Sequence, residues 1–426
     1  MHILVVSEFF YPEMGAPAAR FADLGHAFVA AGHEVTVLTT WPNFPQGKLY
    51  QGHKQHLWAE EWVRGVRVLR TPILALGGHT PLRKAMLYAT FATSSLLQGL
   101  AQALAGRLRP DVIIGTTPPP TVAYASLVLA QLLNVPHVLD IRDIWPEAVV
   151  LSGRVQPGLA VRALETLNAV ALQRSAAVTT VSQGKQVRLL ELGARPGSVH
   201  VLPNGVDLAY FDHEAAENAQ AAAAWLRSVG VPDGKRLVLY TGVFNPPQGL
   251  DGLLDAAKGR QTLPEDDLHF VLVGDGSLRG HLQRRVTAEA LTNVTIAGPV
   301  PRTQVASLVG AAWATVVILR PRKDSHTVPS KLYEAMASGR PVLVSADGEV
   351  TAIAAAAGCG PVSAAGDVAG LLAGLTALAA DPQAAEAMGQ SGRRYVEQYN
   401  DRAVLAGRYL QLLQDAVAAA SSRGAV

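Results

Sequence analysis

Apolar residues occur in short blocks, each followed by a helix-length stretch of mixed polarity. His2 to Ser7 is an apolar run of strand length, Pro17 to Ala31 has helical spacing, Gly32 stops it, and Glu34 to Thr39 is apolar again. Continuous rather than alternating runs predict strands buried on both faces, and strand–helix–strand units of this length predict parallel pairing with right-handed crossovers. Val63 to Arg70, Asp111 to Gly115, His137 to Ile141 and Ala177 to Val181 read as further strands, with helices over Val122 to Leu133 and Leu164 to Arg174. The pattern breaks near Pro203-Asn204-Gly205-Val206-Asp207. After the polar, alanine-rich Glu214 to Ser228 it resumes, with strands at Leu237 to Tyr240, His269 to Val273, Val294 to Ala297, Ala314 to Ile318 and Pro341 to Val344. The expected fold class is α/β: two Rossmann-like, doubly wound domains, joined near residue 203 and facing a central cleft.

Composition narrows the function. With 49% hydrophobic and 16% charged residues the chain is a folded one, and a net charge of +2 gives no footprint for nucleic acid. A single cysteine, Cys359, rules out an intrachain disulfide and a cysteine zinc site; between glycines it reads as a small buried hydrophobe. The start of the chain lacks the basic and apolar regions of a signal peptide, and no run of ~18 apolar residues predicts a spanning helix. Leu82 to Leu108 is apolar with basic flanks (Arg83, Lys84, Arg107, Arg109). It reads equally as an interfacial helix on an anionic membrane or as an amphipathic helix on a core. The expected location is cytoplasmic, with possible peripheral contact to the inner membrane face.

Known catalytic signatures are missing. The loop after the first strand, Glu8 to Pro17, has no G-x-G-x-x-G, which disfavours a dinucleotide cofactor. It does carry Gly15 and Ala16 before a helix, where backbone can approach a phosphate or sugar; Arg20, one turn on, adds charge there or faces solvent. The twelve histidines show no metal spacing and no Asp-x-Asp follows a strand, so no metal and no cofactor is expected. Neither a G-x-S-x-G elbow nor a phosphate-loop motif is present.

The most informative stretch is His326 to Glu349. It follows an apolar run through a basic loop (Arg320, Arg322, Lys323), then Pro329 and Ser330 open a short helix. Ser330, Lys331 and Glu334 share one helix face. Free first-turn N–H groups beside Lys331 make a diphosphate seat, with Glu334 ~5 Å further along the axis, within reach of ribose hydroxyls. Elsewhere Asp140-Ile141-Arg142-Asp143-Ile144-Trp145-Pro146-Glu147 ends a strand, where open α/β sheets bind ligands. Asp143 or Glu147 there would hold or deprotonate an acceptor hydroxyl, with Arg142 balancing charge. The alternative is an ion-paired structural loop.

Glu334-Ala335-Met336-Ala337, in the setting Pro-Ser-Lys-Leu-Tyr-Glu, resembles the nucleotide-sugar site of the retaining glycosyltransferases of family four, of GT-B fold. It is similar to a bacterial branch that builds surface polysaccharides, including fucosyl- and fucosaminyl-type transferases. The resemblance implies an acceptor-binding domain over 1–203, a nucleotide-sugar-binding domain over 204–400, and a C-terminal helix within 401–426 packed back on the first. It implies donor contacts at Gly15, Gln248, Gly274, Arg320, Ser330, Lys331 and Glu334, acceptor contacts at Arg142 and Glu147, and catalytic roles for Asp143, His326 and Glu334. Three departures stand out. His326 replaces the family's first glutamate, and Val243 and Gln248 occupy the places of a basic pair that meets the diphosphate. Arg142-Asp143 takes the place of a His-Asp pair. The implied reaction is metal-independent transfer from a nucleoside-diphosphate sugar, uracil ahead of guanine, to a saccharide or lipid-linked saccharide. A nucleotide-sugar epimerase of the same fold and an inactive nucleotide-sugar-binding protein remain as alternatives.

Overall fold

The computed structural model describes residues 1–13, 16–44, 46–78, 80–147, 150, 158–263, 266–321, 326, 328 to 424. The chain divides into two compact units, Met1–Pro203 with Leu405–Val426, and Asn204–Val404.

The first unit holds an eight-stranded sheet. Its strands are β1 (His2–Val6), β2 (Glu34–Thr40), β3 (Ala59–Val63), β4 (Val66–Thr71), β5 (Val112–Thr117), β6 (His137–Ile141), β7 (Ala177–Thr180) and β8 (Val199–Val201), in the order β3-β4-β2-β1-β5-β6-β7-β8. All neighbours pair in parallel except β3 with β4. Of residues 63–70, expected as one strand, 66–70 lie in β4, while Val63 ends β3 and the two strands form a hairpin. Arg64 and Gly65 sit at φ 50° and 82°, and these two left-handed residues turn the chain back on itself. β1, β5 and β6 are buried throughout, as continuous apolar runs predict for strands covered on both faces. The helix Pro120–Leu133 starts on proline and stops at Asn134, whose φ of 53° makes a left-handed cap. The helix Pro81–Leu104 buries Leu87 and Phe91 in the core and leaves Leu82, Leu97 and Leu104 exposed. The last helix, Arg402–Gly424, sends Tyr409, Leu410, Leu413 and Ala416 into the core that Phe21 and Phe28 share.

The second unit is a wholly parallel six-stranded sheet of β9 (Arg236–Thr241), β10 (Leu268–Val273), β11 (Val294–Ala297), β12 (Ala314–Ile318), β13 (Val342–Ser345) and β14 (Val362–Ser363), ordered β11-β10-β9-β12-β13-β14. In each unit the order reverses beside the first strand, between β1 and β5 and between β9 and β12. The loops that leave the carboxyl ends of those strands are where such sheets take ligands. No single helix among the described residues is long and apolar enough to cross a membrane.

Candidate functional site

At the β9–β12 switch point three residues from three elements meet. Lys331 opens the helix Lys331–Ala337, Tyr240 lies near the end of β9, and Gln248 closes the 3-10 turn Pro246–Gln248 that follows. Lys331 Nζ donates to Tyr240 Oη at 2.7 Å and to Gln248 Oε1 at 2.8 Å, and it lies 4.0 Å from the centre of the Tyr240 ring. The Tyr240 hydroxyl donates toward the Val243 carbonyl at 2.9 Å, with Gln248 Oε1 3.1 Å away. Both partners of the amine are uncharged. Burial pulls the Lys331 pKa from 10.5 down to about 7, and the nearby Glu334 carboxylate opposes that fall. Lys331 and Glu334 line a small cavity with Leu239, Thr241 and Thr315. Tyr240 was not foreseen from the sequence, because a tyrosine inside an apolar strand looks like any other core residue.

Backbone contacts shape the rest of this site. Gly242 has φ 139°, and a Cβ there would lie 2.8 Å from Lys331 Nζ. A Cβ on Gly274, just after β10, would fall 1.8 Å from the Gly242 carbonyl oxygen. The loops after β9 and β10 therefore touch closely through backbone, held further by Phe244 N donating to Asp275 O at 2.8 Å and Leu278 N donating to Phe244 O at 2.8 Å. Arg320 is exposed, and its N–H donates to Pro247 O at 3.0 Å, which ties the loop after β12 to the turn bearing Gln248.

The expected seat of free helix N–H groups is corrected by the geometry. Leu332 N donates to Pro329 O at 3.1 Å, while Tyr333 N and Glu334 N donate to Ser330 O at 3.0 and 3.3 Å. The tight first turn satisfies these groups internally, and Ser330 makes no side-chain cap. The cation at this corner is the Lys331 side chain rather than the helix end. His326 and Glu334 are half-buried; Gly15, Arg322 and Lys323 lie outside the described residues.

In the first unit, the residues beyond β6 are heavily engaged. Asp143 pairs with Lys185 at 3.3 Å, and Glu147 pairs with Arg188 at 2.8 Å, both bases lying on the helix Gln183–Glu191. Lys185 Nζ also donates to the Arg142 carbonyl. Those ion pairs fit the structural reading of this loop. Arg142 is half-buried, its Nε has no hydrogen-bond partner, and burial lowers its pKa against the pull of Asp140. Arg20 is neither solvated nor placed for phosphate: it pairs with buried Asp140 at 3.1 Å and donates to the Leu202 and Pro203 carbonyls.

Two buried acids after β1 also escaped the sequence reading. Glu13 accepts from Asn43 N and Phe44 N at 2.7 and 2.9 Å, which makes it a loop clamp. Glu8 is buried with no partner for Oε2; burial, then the Glu13 carboxyl, push its pKa well above the usual range. An acid just after a strand at the switch point was the available signal for Glu8.

Comparison with known proteins accounts for this plan. Residues 15–205 match the Glycosyl transferase 4-like domain, and residues 222–395 match Glycosyl transferases group 1. WcaI of Escherichia coli K12, described as a colanic acid biosynthesis glycosyl transferase, is 26% identical over 82% of this chain and 84% of its own. The sucrose-phosphate synthase of Thermosynechococcus elongatus superposes with TM-score 0.75 at 20% identity, covering 98% of this chain and 99% of that one. Anabaena HepE, solved in complex with UDP, gives TM-score 0.66 at 16% identity over 97% and 100%. Two domain matches in this order, over two parallel-sheet units whose solved neighbours are GT-B enzymes, show that the chain is a glycosyltransferase and belongs to family 4 of the GT-B fold.

Proposed function

We propose that this glycosyltransferase moves a sugar from a nucleoside-diphosphate sugar, UDP ahead of GDP, to a lipid-linked saccharide in surface polysaccharide synthesis, with retention and without a metal. The observation that carries the donor assignment is Lys331, a half-buried amine held by uncharged partners at the β9–β12 switch point. A diphosphate is the complement that such a group lacks. As the sugar–phosphate bond breaks, negative charge grows on the leaving diphosphate, and a fixed cation in a partly dry site stabilises it strongly. Glu334, one turn beyond, takes the ribose hydroxyls, His326 the sugar, and Arg320 adds charge at the rim. Gly274 lets the backbone come close to the nucleotide. UDP in the structural neighbour HepE and the colanic acid role of WcaI support the base and the pathway class.

Acceptor binding falls to the first unit. Half-buried Arg142, whose enclosed Nε has no hydrogen-bond partner, is the strongest residue there for it; Asp143 and Glu147 would need to exchange their lysine and arginine partners to take part. The exposed Leu82, Leu97 and Leu104 on a helix with Arg83 and Lys84 in its first turn support peripheral contact with an anionic membrane. The test is thermal stabilisation by UDP, GDP and ADP in the presence of EDTA, followed by transfer assays with the base that binds. A selective shift supports the donor site. No shift with any of the three, or a shift only after a divalent metal is added, refutes the reading.

A further inference from the structure

The hydrogen-bond count at Lys331 bears on how the donor would be taken up. A neutral amine has two N–H donors, and the two short contacts to Tyr240 Oη and Gln248 Oε1 use both. Protonation adds a third N–H. Among the described residues no further acceptor and no ion-pairing carboxylate lies within bonding distance of Nζ. The titratable groups that face it are Tyr240 from β9 and Glu334 from its own helix; the turn after β9 presents only uncharged Gln248. Gly242 keeps the space beside the amine free of side chain: a Cβ there would lie 2.8 Å from Nζ.

We propose that Tyr240 and Gln248 are positioning residues that hold the Lys331 amine with no carboxylate in bonding contact, so that a bound nucleoside diphosphate supplies the close counter-charge and Nζ takes up a proton from solvent as it binds. The lone pair of Nζ accepts that proton, and the new third N–H donates to a phosphate oxygen. A pKa near 7 for Lys331 in the free protein agrees with this. The inference rests on the donor reading above and adds the means by which the cation is delivered. It also explains how the site works with a glutamine at 248. Because Nζ of Lys331 and Oε1 of Gln248 are 2.8 Å apart, a cation carried from either position ends at the same place.

The experiment is calorimetric titration with UDP at pH 8 in phosphate and in Tris, whose ionisation heats differ. The wild-type protein should take up close to one proton per UDP, and Lys331→Arg, always charged, close to none. Lys331→Gln should weaken UDP binding by about tenfold to a hundredfold, the range for losing a hydrogen bond to a charged group. The reciprocal double variant Lys331→Gln/Gln248→Lys should recover most of that loss, which a merely structural contact would not permit. Melting temperatures of every variant, and Tyr240→Phe as a milder change, separate misfolding from lost positioning. UDP binding to the wild type without proton uptake, or a double variant no tighter than Lys331→Gln, overturns the proposal. No UDP or GDP binding to the wild type brings down the donor reading itself.

Discussion

Replacing Lys331 by Met separates stability from function at the donor corner. The amine is half-buried, and burial lowers its pKa from 10.5 to about 7. A base with a depressed folded-state pKa holds its proton less tightly folded than unfolded. Its destabilising effect is full below pH 7, shrinks as the pH rises from 7 to 10.5, and is gone above that. At ~1.4 kcal/mol per pH unit the ceiling is about 5 kcal/mol. Solvent that reaches a half-buried group reduces this, leaving about 2–4 kcal/mol at pH 7. Methionine keeps most of the side-chain length, and the Tyr240 hydroxyl retains the Val243 carbonyl as its acceptor. Lys331→Met should therefore raise the melting temperature at pH 7, by about 2–4 °C per kcal/mol for a unit of this size. The gain should fade toward pH 10, while UDP binding weakens. Scanning calorimetry of both proteins at pH 6, 7, 8.5 and 10 reads the effect. A variant less stable than wild type at pH 7, or a gain that is the same at pH 6 and pH 10, would refute the reasoning.

Further outcomes follow from the same physical arguments. Gly274→Ala puts a Cβ 1.8 Å from the Gly242 oxygen, so the loops after β9 and β10 must part. Denaturant unfolding should show a loss of about 3 kcal/mol or more, with weaker UDP affinity in calorimetry. Glu8 has a raised pKa, so its contribution falls as the pH rises through and above the usual carboxylate range. Glu8→Gln should melt higher than wild type at pH 8 and level with it at pH 4; parallel pH curves for the two would contradict this. His137 is fully enclosed between the Ser126 and Ser175 hydroxyls, 2.9 Å from each, and burial lowers its pKa to about 3. It should cost the fold ~1.4 kcal/mol per pH unit as the pH falls below 6.5. A His137 ring that titrates near pH 6 by NMR would show this network to be wrong.

The order of strands and helices could be read along the chain because burial on both faces leaves a local trace. Val294–Ala297 and Ala314–Ile318 are strands at the positions their apolar runs marked. Lys331 and Glu334 were also visible, since helix spacing alone aligns them. β3 was hidden: AEEWV is mostly exposed and owes its conformation to antiparallel pairing with β4. The acidic loop after β6 shows the limit most clearly. Asp143 and Glu147 look the same in sequence whether they serve a substrate or an ion pair, and only packing against the helix Gln183–Glu191 supplied Lys185 and Arg188. Likewise, Lys331 is legible as a cation, but its setting depends on Tyr240, 91 positions earlier, and Gln248, 83 positions earlier. Periodicity records what each residue needs from its neighbours in the chain. The charge state and reach of a side chain depend on which distant groups the fold brings against it, and that was decided by the tertiary structure alone.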